Sequence, residues 1–139
     1  LTVGASSGIV STATYTPAGV YAVTVQATDA STLVTGSTSF TIDVNLLVSY
    51  TGPTSVAAGS ASAVTTVTAT GANGTVAYSL DATSLTNGFT IDSSTGVVTA
   101  GATTTAGTYS VTVTATDGTA PTGGTAAATS VTISGIVLT

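Results

Sequence analysis

Gly107-Thr108-Tyr109-Ser110-Val111-Thr112-Val113-Thr114-Ala115-Thr116-Asp117 alternates without a break. Tyr109, Val111, Val113 and Ala115 fall on one face of an extended chain, and Ser110, Thr112, Thr114 and Thr116 on the other. Side chains of a strand alternate faces, so the stretch predicts one long strand with an apolar face and a hydroxyl face. The same pattern stands earlier as Gly19-Val20-Tyr21-Ala22-Val23-Thr24-Val25-Gln26-Ala27-Thr28-Asp29. A shift of 88 residues lays Leu1–Asp29 on Phe89–Asp117 without a gap, with 14 of 29 positions identical. After three extra residues the register resumes at 91, where Ser39–Ile42 matches Ser130–Ile133 and Leu46-Leu47 matches Val137-Leu138. An internal repeat of this length predicts tandem domains.

Outward from the two long strands, short strands are predicted at Leu1–Val3, Ile9–Ala13, Ser37–Val44, Leu46–Tyr50, Ala63–Thr70, Thr75–Leu80, Phe89–Ile91, Val97–Ala100 and Thr129–Ser134. Turns fall at Gly52-Pro53 and at Gly71–Gly74, where Asn73-Gly74 is a tight-hairpin signal. Ala30–Gly36, Ala57–Ser62, Asp81–Gly88 and Thr119–Gly124 read as loops. No segment has a helical period. Seven short strands in about 90 residues predict a β-sandwich. On the repeat, residues 1–45 are an incomplete sandwich and 46–135 a complete one. Residues 136–139 form a strand-like tail equivalent to the first strand of a further repeat.

Composition narrows the function. The chain has 139 residues, five acidic side chains, no Lys, Arg or His, and a net charge of −5. Neutralising phosphates needs cations, so nucleic-acid binding is excluded and an anionic membrane surface disfavoured. There is no Cys for a disulfide or a thiolate metal site. No apolar run approaches the roughly 18 residues of a membrane-spanning helix, so no membrane insertion is expected. A surface solvated by hydroxyls suits a secreted or cell-surface repeat protein. With no initiator Met and no leader, the chain reads as a mid-protein or processed stretch.

Tyr78-Ser79-Leu80, Phe89-Thr90-Ile91-Asp92-Ser93-Ser94-Thr95-Gly96-Val97-Val98-Thr99, Ala106-Gly107-Thr108-Tyr109 and Val111–Gly118 follow one another in an order that resembles bacterial and archaeal immunoglobulin-like and cadherin-like surface domains. The resemblance covers nearly all of the second repeat. It implies an all-β chain of tandem Ig-like or cadherin-like Greek-key sandwiches, the first incomplete. Gly107–Tyr109 and Gly19–Tyr21 look like tyrosine corners, in which the hydroxyl bonds backbone a few residues upstream. Asp29 and Asp117 match the Asp that ends the family's strand, which makes them calcium candidates by resemblance. The rest of a six- to eight-oxygen site is missing, since the chain has no Glu and Asp92 becomes Gly4 in the first repeat.

Catalysis lacks its parts. No His or Lys serves as base and no Cys as nucleophile, so the many serines are only hydroxyls. Asn73-Gly74-Thr75 is an N-glycosylation acceptor pattern beside its hairpin reading. The strongest functional signal is the missing half of the first sandwich. Its apolar row, Tyr21, Val23 and Val25, is expected to lie uncovered, and an open apolar sheet invites another strand. Self-assembly follows in one reading, with Ile136, Val137 and Leu138 of another copy as the inserted strand of a fibre. The alternative is a piece of a tandem-repeat stalk of a surface adhesin. A carbohydrate-binding sandwich ranks third, because there is no Trp and only five Tyr.

Overall fold

The computed structural model of the chain describes residues 1–52, 55–121 and 123–139. The strands run in chain order as β1 (Thr2–Val3), β2 (Val10–Ser11), β3 (Gly19–Thr28), β4 (Thr35–Val44), β5 (Leu47–Thr51), β6 (Ser55–Val56), β7 (Ser62–Thr70) and β8 (Val76–Leu80). They continue as β9 (Phe89–Ile91), β10 (Val97–Ala100), β11 (Gly107–Asp117), β12 (Gly124–Thr125) and β13 (Ala128–Leu138). The Pro53 half of the turn expected at Gly52-Pro53 lies outside the described residues.

The second repeat is a complete sandwich. One sheet has the order β5-β7-β10-β9, and the other β6-β13-β11-β8. The alternation read from β11 sets the interior: Val111, Val113 and Ala115 are fully buried. Val111 and Val113 meet Ile133, Ile136 and Leu138 of β13 and, across the gap, Val64, Val67, Phe89 and Val98 of the facing sheet. Burying each such side chain contributes roughly 1.5–3 kcal/mol. Phe89 packs edge-on against Tyr109, with ring centroids 5.4 Å apart at 70°. On the outer face hydroxyls pair across strands, Thr112 with Thr132 at 3.0 Å and Thr114 with Ser130 at 2.7 Å.

Three expectations change. Asp81–Gly88 is not all loop, because Ala82–Thr86 forms a short helix, α1. The Asp81 carboxylate caps it by accepting from the Ser84 N–H at 3.1 Å, and buried Ser84 Oγ accepts from the Thr112 N–H. Asn73-Gly74 is not a hairpin turn. β7 and β8 lie in different sheets, so residues 71–75 cross between layers.

The third change concerns the tail. β13 runs unbroken to Leu138, with one bulge at Gly135, which takes φ +75°. Pairing fixes the repeat equivalence more firmly than the sequence match. Val23 faces Phe40 while Val111 faces Ile133, and Tyr21 faces Ile42 while Tyr109 faces Ile136. The offset after the long strand is therefore 93, becoming 94 past the bulge. Ile136–Leu138 stand where Ile42–Val44 stand. They are the end of the closing strand, not a first strand of a further repeat.

Of the first repeat, residues 1–45 supply β1, β2, β3 and β4, the counterparts of β9, β10, β11 and β13. β1 and β2 form a small hairpin, and β3 pairs with β4 over ten residues. Nothing among residues 1–45 stands for β5 to β8.

The repeat junction and the open half-sandwich

The two repeats meet without a spacer. β4 ends at Val44, and Leu46 is already buried against Ala18, Ala115 and Ala127. Small side chains let the backbones approach. The Ala18 N–H donates to the Gly71 carbonyl at 2.7 Å. The loop after β11 reaches back from the second repeat, and its β12 adds to the edge of β3, with Gly124 facing Tyr21 and Thr125 facing Val20. A Cβ on Gly19, at φ +156°, would stand 2.5 Å from the Thr125 carbonyl, so this approach requires glycine. Pro121 and Gly124 cover Tyr21, which is 7% exposed. A cavity of about 490 Å³ opens beside this seam between Leu1, Tyr15, Pro17, Tyr21, Asn73 and Pro121.

Both tyrosine corners form. Tyr21 Oη donates to the Pro17 carbonyl at 2.8 Å and Tyr109 Oη to the Thr105 carbonyl at 3.0 Å.

Asp29 and Asp117 are equivalent but not equally placed. The Asp117 carboxylate is 2% exposed. Its Oδ2 accepts from the Asn73 N–H at 2.6 Å, and its Oδ1 from the N–H groups of Gly74 at 3.1 Å and Thr119 at 2.9 Å. Burial pushes its pKa up, but the N–H groups of Asn73, Thr119 and Gly74 outweigh burial and hold it below the ordinary 3.8. The side chain thus ties the inter-sheet crossover to the end of β11. Asp29 is exposed. Its Oδ1 accepts from the Ser31 and Thr32 N–H groups at 2.7 and 2.9 Å, and the N–H of Thr32, then that of Ser31, lowers its pKa. The structure does not bring the two calcium candidates together. Among the described residues no group of three or more His, Cys, Asp or Glu gathers.

The expected self-assembly residues separate. Val23 and Val25 are half-buried, with only a shallow hollow between them and Leu1, Val3 and Val10. Tyr21 is covered by the junction rather than open. Ile136 and Leu138 are 0% and 2% exposed in their own core, and Val137 faces outward. Asn73 is exposed beside the seam, its Nδ2 donating to the Ala120 carbonyl at 3.3 Å. Sequence reading missed β12 as the clamp. Its only signal was the longer loop of the second repeat.

The sequence profile of the family described as "Putative Ig domain" matches residues 46–135. The chain belongs to this family. The matched stretch is the complete sandwich less the last residues of β13. Among curated proteins none matches this Ig-family chain. Three solved structures are similar to it. A protocadherin gammaB7 EC3-6 cis-dimer structure is 23% identical, with 82% of this chain and 31% of that chain covered and a TM-score of 0.44. Protocadherin gamma B2 extracellular cadherin domains 3-6 give 18% identity, 86% and 33% coverage and a TM-score of 0.47. The protocadherin gammaB4 extracellular domain gives 21% identity, 82% and 21% coverage and a TM-score of 0.42. The Ig-family chain spans about a third or less of these chains. Among its described residues no helix is long and apolar enough to cross a membrane.

Proposed function

We propose that this chain is a non-enzymatic extracellular structural module, part of a stiff tandem array of Ig-like sandwiches that extends an adhesive stalk. The observation that carries the reading is the junction: only Asn45 and Leu46 stand between β4 and β5, and the two repeats share a small core and a β-bridge. A flexible tether would need a spacer, whereas a seam of this kind transmits load. Ig-like and cadherin-like domains are in general structural and adhesive modules, which agrees with a chain that holds no base or nucleophile pair. Small-angle scattering tests the reading. The chain should scatter as one elongated body, and inserting Gly-Ser-Gly-Ser after Asn45 should broaden its distance distribution. Equal profiles would reject a stiff seam.

A second reading is favoured by the half-exposed Val23 and Val25 on a sheet with an open edge. In it, copies of the chain join as a fibre by strand complementation, with Ile136, Val137 and Leu138 leaving β13 to cover another copy. Electron microscopy of the unmodified chain tests it. Filaments that vanish on replacing Val137 and Leu138 by Asp would support this reading, and monomers at all concentrations would reject it.

A further inference from the structure

The second repeat shows what covers the first. β11 is flanked on one side by β13 and on the other by β8, which pairs from Leu80 opposite Val113 to Val76 opposite Asp117. β3 has β4 in the place of β13. On its other edge β12 occupies only Val20 and Tyr21, and the edge from Ala22 onward has no strand among the described residues. This open edge is continuous with the seam already formed. The turn beyond it is prepared in the same way in both repeats: the Asp29 N–H donates to the Val34 carbonyl as the Asp117 N–H donates to the Ala127 carbonyl, at 2.9 and 2.8 Å. Oδ1 of each Asp accepts from the N–H two residues on. The difference is at Oδ2. In Asp117 it holds the crossover through Asn73, whereas the Asp29 carboxylate is bonded only within its own turn, by Ser31 and Thr32.

We infer that Asp29 is the anchor through which β3 and β4 receive a segment built like residues 46–88 from the preceding repeat of an array, its exposed carboxylate binding the backbone N–H groups of the crossover that enters there. This rests on the tandem-array reading above and names the partner segment and its specificity residue. The occupant is set by what residues 1–45 contain: they carry counterparts of β9, β10, β11 and β13, and residues 46–88 carry the rest of a sandwich. Such a segment would place a strand against Val25–Asp29, cover Val23 and Val25, and bury Asp29 as Asp117 is buried. Backbone donors rather than side chains do the recognition, so the incoming sequence can vary while its geometry cannot.

Fusing a second copy of residues 46–88 directly ahead of Leu1, the counterpart of Phe89, tests this on the full chain. Amide hydrogen exchange is read at Val25–Asp29, with Val113–Asp117 as the internal check that the second sandwich is intact. In the fusion the Val25–Asp29 amides should exchange at least tenfold more slowly than in the unfused chain. Asp29→Asn keeps the Oδ1 acceptor for Ser31 and Thr32 and sets an NH₂ donor against the incoming donors. It should abolish the added protection in the fusion and change nothing in the unfused chain. Protection that survives Asp29→Asn would overturn the anchor and leave the array standing. Equal exchange in fused and unfused chains would overturn both. Protection of the unfused chain that grows with concentration would assign the segment to a second copy and overturn delivery within one array.

Discussion

Gly19–Asp29, β3 and the residue after it, and β11 share eight of eleven residues and the same alternation, yet they lie in opposite states. Val111 and Val113 are sealed between two sheets, while Val23 and Val25 lie half-buried under a two-residue-strand hairpin. Asp117 is a buried tie and Asp29 an exposed turn residue. The strand's own sequence therefore sets the strand and its faces, and the neighbouring segment sets what the apolar face and the terminal carboxylate do. Intrinsic strand preference is largely a report on packing partners, and here the partners differ while the strand does not.

The comparison can be broken at four places. The largest effect is expected from Ile133→Ala, which empties a site at 0% exposure and should cost about 3 kcal/mol in urea unfolding. The equivalent Phe40, 41% exposed, should cost less than about 1 kcal/mol when replaced by Ala. Similar losses at the two positions would mean that the first repeat is covered in solution. Next, Asp117→Asn leaves buried crossover N–H groups facing an amide donor, and should cost about 2–3 kcal/mol by the same assay. Asp29→Asn should move the midpoint far less, and a matching loss would contradict its exposed state. Third, Tyr109→Phe and Tyr21→Phe each remove one hydroxyl-to-carbonyl bond and should each cost about 1 kcal/mol. Because Tyr21 also packs at the seam, its replacement should speed amide exchange in β12, and Tyr109→Phe should not.

The smallest effect is the acid limb. Asp92 is held at about 2 by the Ser94 hydroxyl and the N–H groups of Thr95 and Ser94, and Asp117 and Asp29 are also lowered. These carboxyls bind fewer protons folded than unfolded, so their contribution is full above about pH 4 and is lost as pH falls toward 2. Thermal unfolding should be flat from neutrality to about pH 4 and then decline. Asp117→Asn should flatten that decline more than Asp29→Asn does.

Much of this was legible in the sequence. Strict alternation located β3 and β11 to within a residue, and the repeat identified β1 and β2 as the counterparts of β9 and β10. The helix α1 was hidden because a five-residue turn has no period, although Asp81 three residues before Ser84 is a capping signal. The crossover at Asn73-Gly74 was hidden because a turn dipeptide does not say which sheet the next strand joins. The tail was misplaced because the sequence match at 91 falls two residues short of the paired offset of 93, and the bulge marked by Gly135 adds one more without leaving a gap in the sequence. The Asp117 tie joins residues 43 and 44 positions apart, beyond any local rule.

One small contact governs when a repeat can become a folded body. β6 pairs in parallel with the end of β13, Ser55 beside Val137 and Val56 beside Leu138, and the Ala58 N–H reaches the Thr139 carbonyl at 2.8 Å. The opening strands of the sandwich are thus locked by its final residues. During synthesis the polypeptide cannot close this domain until its last strand has emerged, so each repeat stays an extensible thread until then and hardens in one late step.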